Sequence, residues 1–227
     1  MIKLILSATL IFIQFEGFAS KVAKIDSCRE YNIKSFNLIN KFYIDGDTAN
    51  LDSAIYYINK ALSLSSCKKY QGLLSLRKLG VLSITRDYPH ALTFIDSLNN
   101  NLYSDLPYFK DLLKNRFKAM EAQDKENKVM RDYYLKSILE RLKNYLYRNN
   151  TKIDSLLKSP DVNKILGTSQ ATAITEYYYY RSILFGKEKI IDELLMRQKS
   201  KGINKEFYDY LISYLQEQND FMIFNGI

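Results

Sequence analysis

The sequence predicts an all-α protein of about eight to ten helices, paired into stacked antiparallel hairpins. Three observations carry that prediction. Apolar residues recur at three- and four-residue steps along most of the chain, while strand-like alternation never persists for more than a few residues. Turn signals made of Gly, Asn, Asp and Pro separate these runs at helix-length intervals. Two cysteines, Cys28 and Cys67, lie equally far in sequence from the centre of the clearest turn, at 45–50.

Taken in order, the chain opens on Lys3 and an apolar run at 4–15, too short to span a bilayer comfortably. Gly17 and Ala19 then stand three and one residues before a cleavage point. This is the pattern of a secretory signal, so residues 1–19 are expected to be removed after Ala19, leaving a periplasmic or secreted product. A retained N-terminal anchor is the alternative. No later run is long and apolar enough to cross a membrane. Residues 20–227 are expected to form a single all-helical domain with a short C-terminal tail.

The first hairpin is expected over 26–67. Leu51, Ala54, Ile55, Ile58, Ala61, Leu62 and Ser65 mark one face of its second helix, with Asn50 as a candidate N-cap. Gly46 can take the positive φ that commonly ends a helix. In such a hairpin Cys28 and Cys67 come side by side, and an oxidising compartment would join them in a disulfide. Two buried free thiols, or pairing with another chain, are the alternatives. A second hairpin is expected over 69–99, with Asp87 as N-cap and Pro89 in the first turn of its second helix, where a missing amide does no harm. Beyond it, helix patterns start near Ser104 and Asp105, at 125–149, at 151–158, at Ser159, Pro160 and Asp161 with the serine as cap, and at 169–185, 187–199 and 204–217, the last three punctuated by Gly186 and Gly202.

Gly80, Tyr88, Ala91 and Ile95, following Ala54, Ile58 and Ala61 one hairpin earlier, resemble the small-and-large spacing of the tetratricopeptide repeat over roughly residues 30–100. The Ala54-to-Ala91 interval is slightly longer than that family's repeat of about 34 residues. The resemblance implies a right-handed α-solenoid with a concave groove that faces a ligand and is lined by the first helix of each hairpin. On that basis Arg77, Tyr177, Tyr180 and Arg181 are the candidate partner-binding residues.

The chemistry-bearing residues are sparse. Asp45, Asp47, Asn50 and Asp52 invite a calcium reading, but glycine stands second rather than sixth and Tyr56 takes the place of the final glutamate, so a turn-and-cap role is expected. His90 is the only histidine, and its place beside Pro89 in a first turn suggests a capping or surface residue. Neither a nucleophile elbow nor a phosphate-cradling loop is present. The run of four tyrosines at 177–180 must point all round its helix, so the expectation is packing on several sides with one ring left for a partner. The net charge of +8 comes from basic residues interleaved with acidic ones, which suggests a solvated face or acidic protein partners rather than nucleic acid.

No cofactor or metal is expected. The functional expectation is a non-enzymatic, exported protein-binding protein, most concretely an immunity protein that neutralises an antibacterial toxin. A repeat scaffold or assembly factor of the cell envelope is the second reading. A hydrolase of envelope polymer using only carboxylates is a third, because paired acids occur in any helical protein.

Overall fold

The computed structural model describes residues 27–98, 109–200 and 202–217. The expected signal and its cleavage point, the opening at Ser104 and Asp105, and the C-terminal tail lie outside them. The described residues are all-α. They form α1 (Ser27–Asp45), α2 (Ala49–Leu62), a 3-10 segment (Ser65–Tyr70), α3 (Gln71–Ile84), α4 (Tyr88–Ser97), α5 (Phe109–Asp124), α6 (Lys128–Arg148), α7 (Asn150–Leu157), α8 (Val162–Leu166), α9 (Ser169–Phe185), α10 (Lys187–Gln198) and α11 (Lys205–Glu217). The chain groups into two compact units, the first running to Val81 and the second from Leu82.

In the first unit α1 packs along α2, and the Cys28–Cys67 disulfide joins the start of α1 to the 3-10 segment with a Cα–Cα distance of 5.3 Å. Both cysteines are buried, as are Leu51, Ala54, Ile58 and Ala61 on the inner face of α2. That face is the predicted stripe as far as Ala61; Ser65 belongs to the 3-10 segment. By contrast α1 buries only Cys28 and Ser35.

The turn between α1 and α2 differs from expectation in its capping. Asn50 is not the N-cap, because the helix begins at Ala49 with Thr48 already in helical geometry. The Asn50 side chain is buried and its Nδ2 donates back to both carboxylate oxygens of Asp45, at 3.1 and 3.2 Å. The Asp45 carboxylate also accepts from the Asp47 amide, and that of Asp47 accepts from the Ala49 amide. The acidic cluster thus closes a turn whose free amides need acceptors.

This turn has two relatives further along. Gly46, Arg86 and Glu126 all have positive φ (72°, 56° and 55°), 40 residues apart each time. Each is followed by an Asp or Asn. Asp87 accepts from the His90 amide and Asn127 from the Met130 amide, while the amides of 87 and 127 bond back to Leu82 O and Ala122 O. That backward bond closes the preceding helix and the side chain opens the next. The recurrence is longer than both the 37-residue spacing of Ala54 and Ala91 and the tetratricopeptide period of about 34.

In the second unit α4 packs on α5, α5 on α6, and α6 on α9, while α9 also meets α10, α11 and the short α8. Apolar residues one helical turn apart fill these contacts, among them Ile95, Phe117, Leu135, Ile138, Leu142, Ile190, Leu194, Phe207 and Leu211. Asp161, rather than Ser159, caps α8 by accepting from the Asn163 amide at 3.0 Å. Thr168 caps α9, and Gly186 with φ 97° ends it. Here the reversal to α10 needs a backbone conformation that L side chains rarely adopt.

Candidate functional site

The four sequence-predicted partner residues fall on two helices, one in each unit. Arg77 lies on α3 in the first unit. Its Nη1 donates to Asn32 O at 2.9 Å, Asn32 Oδ1 at 2.5 Å and Ser35 Oγ at 3.1 Å. The guanidinium lies over the Phe36 ring at 5.4 Å from its centroid. Burial brings its pKa down to about 10.

Tyr177, Tyr180 and Arg181 lie on α9 in the second unit, which is packed on several sides. Tyr178, Tyr179 and Tyr180 are buried and Tyr177 keeps part of its ring in water. Tyr180 is only 1% exposed, so it offers no surface to a partner. The position assigned to groove lining by its place in the repeat is in fact turned inward, because α6, α10 and α11 crowd α9. Arg116 of α5 lies over the Tyr180 ring and donates from Nη2 to Glu176 Oε1 at 2.5 Å. Burial alone would pull the Arg116 guanidinium down, but the Glu176 carboxylate and Tyr180 outweigh it and hold the cation above its ordinary value. Burial pushes the Tyr180 hydroxyl well above the usual tyrosine range.

Arg181 is half-buried and makes a two-armed contact with Glu193 of α10, Nη1 to Oε1 at 2.9 Å and Nη2 to Oε2 at 2.7 Å. Arg197 adds Nε to Glu193 Oε1 at 3.2 Å. Hydrogen bonding from Arg181, aided by both positive charges, holds the Glu193 carboxyl below the usual glutamate range. Arg181 also lies over the Tyr177 and Tyr178 rings at 5.5 and 5.7 Å. Tyr177 and Arg181 therefore form one half-exposed cation–π patch, already tied to α10.

No family model, curated protein or solved structure matches the chain.

His90 is exposed, with Nδ1 within 2.7 Å of the Asp87 carboxylate at the start of α4. Among the described residues no group of three or more His, Cys, Asp or Glu side chains is arranged to hold a metal ion. No described helix is long and apolar enough to cross a membrane. Lys158, Ser159, Gly202, Asn204 and Lys205 line a shallow open depression. The depression is organised by Asn204, whose Nδ2 donates to Ser159 O and whose Oδ1 accepts from the Phe207 amide to cap α11.

Sequence reasoning missed the Arg116–Glu176 pair. Its partners are 60 residues apart, and nothing local distinguishes them from the other charges on α5 and α9. The outward-facing tyrosines of other helices were missed for the same reason. Tyr43 is 65% exposed, Tyr133 63% and Tyr147 77%.

Proposed function

We propose that this chain is an exported, non-enzymatic binding protein that grips another protein, and most concretely an immunity protein that neutralises an antibacterial toxin in the periplasm. The observation that carries this reading is the aromatic surface: Tyr43 and Tyr56 in the first unit, and Tyr133 and Tyr147 in the second, all stand exposed. A tyrosine combines a large rigid contact area with a polar tip, and such rings concentrate binding energy when a partner covers them. The half-exposed patch of Tyr177 and Arg181 adds a cation to that inventory. The buried Cys28–Cys67 bond agrees with folding in an oxidising compartment.

The test is capture of a partner by the tagged full chain from its own cells. On mixing, a catalytically competent toxin encoded beside it should lose activity, and the complex should survive gel filtration. Turnover of peptidoglycan or another glycan by the purified protein, abolished by a single Asp or Glu substitution, overturns the reading in favour of a hydrolase.

The second reading, a tetratricopeptide-like scaffold or assembly factor of the envelope, draws on the 40-residue recurrence of a positive-φ residue followed by Asp or Asn at 46, 86 and 126, a helical-repeat signal longer than that family's period of about 34. Capture of several stable envelope components, with no toxin among them, selects it.

A further inference from the structure

Where this fold draws an arginine partly out of water it generally supplies a carboxylate: Glu176 for Arg116, Asp132 for Arg131, Asp111 for Arg141, Glu193 for Arg181. Arg77 departs from that pattern. Its three bonds go to neutral oxygens of Asn32 and Ser35, and among the described residues no carboxylate lies within ion-pair reach. Burial, not a neighbouring charge, is what moves its pKa. A cation drawn partly out of water without a counterion is unfavourable, and an arriving anion relieves that penalty.

The hydrogen bonds also say which edge of this half-buried side chain is unengaged. All three bonds leave from Nη1, so the Nε–Nη2 edge has no acceptor among the described residues. That edge presents two parallel N–H groups at the spacing of a carboxylate. Phe36 fixes the plane of the guanidinium and Asn32 fixes its rotation, so a ligand meets a preorganised fork. The neighbouring Lys78 is engaged by Asn59 Oδ1 at 2.8 Å and does not share Asn32 or Ser35. A planar fork of this kind meets a carboxylate in two parallel N–H···O bonds.

We propose that the Nε–Nη2 edge of Arg77, backed by Phe36 and anchored through Asn32 and Ser35, is the docking point for a side-chain carboxylate of a protein partner. This rests on the binding-protein reading only for who brings the carboxylate; the site itself is testable without a partner.

The experiment titrates the oxidised full chain, labelled with 15N at arginine, with sodium acetate against sodium chloride at equal ionic strength. The Arg77 Nε–Hε signal is assigned through its own backbone, which needs no variant. Acetate should shift that signal saturably and chloride should not, with inorganic phosphate acting more weakly than acetate. Replacing Phe36 with leucine should weaken the acetate response several-fold. A response no larger than that of the exposed Arg29, or a stronger one to phosphate, overturns the assignment. In the capture assay Arg77→Lys, which keeps the charge but loses the fork, should weaken retention of the partner at least tenfold. Equal retention by the variant overturns the docking role and leaves the binding-protein reading intact. Saturation by acetate with no protein captured supports the site and removes that reading alone.

Discussion

Removing the disulfide with Cys28→Ala and Cys67→Ala together should loosen the first unit far more than its small buried surface suggests. The two cysteines are 39 residues apart, and closing a loop of that length withdraws enough entropy from the unfolded chain to stabilise the fold by about 4 kcal/mol. The effect is concentrated on α1. That helix buries only Cys28 and Ser35, and its other attachments within the unit include the Arg77 bonds and the Tyr31–Tyr57 ring contact at 5.9 Å. The double variant should therefore lose amide protection along 28–45 by hydrogen exchange while α9 and α11 keep theirs. Denaturant unfolding should show a midpoint shift of corresponding size. Reduction of the wild type under mild denaturant should reproduce it, since both sulfurs are buried and resist reduction in the folded state. A loss of stability below about 1 kcal/mol, or unchanged exchange in α1, would mean that α1 is held by packing and that the staple reasoning fails.

The tyrosine helix separates core from surface. Tyr180→Ala should destabilise by about 3–5 kcal/mol, the usual penalty for emptying a buried aromatic site, whereas Tyr177→Ala should leave the melting temperature nearly unchanged and weaken partner binding. Equal effects on stability would refute the assignment of inward and outward rings. The Glu193 carboxyl is depressed by its arginines, so its contribution to stability is complete above the ordinary glutamate pKa. It is lost as the pH falls through the depressed value, from about pH 5 downward. Glu193→Gln should flatten that part of the stability–pH profile, and a profile identical to wild type would show that the two-armed contact contributes nothing. Glu126 holds a positive φ without being glycine, so Glu126→Gly should stabilise by a few tenths to about 1 kcal/mol in thermal melts. Destabilisation would show that its side chain matters more than its backbone.

Much of the helical layout is legible in the sequence, because helix periodicity and its punctuation are local. The inner face of α2, the cap at Asp87, the reversals at Gly46 and Gly186, and the Cys28–Cys67 pairing each depend on residues whose relation is set by the chain itself or by symmetry about one turn. Where several capping residues compete within one turn, locality is not enough. Asn50 and Ser159 carry the right side chains, but Thr48 and Asp161 stand at the positions where the backbone enters the helix.

The candidate site divides the same way. That a run of four tyrosines must face all round its helix follows from 100° per residue, and composition alone offers the arginines as partners for an anion. Which ring is buried does not follow, because it depends on which helices crowd α9, and those come from 142 and 215 as readily as from nearby. The Arg116–Glu176 and Arg181–Glu193 pairs, and the missing counterion of Arg77, are likewise properties of packing. A charge acquires or lacks a partner only when segments distant in sequence meet, and only then does burial decide what that lack is worth.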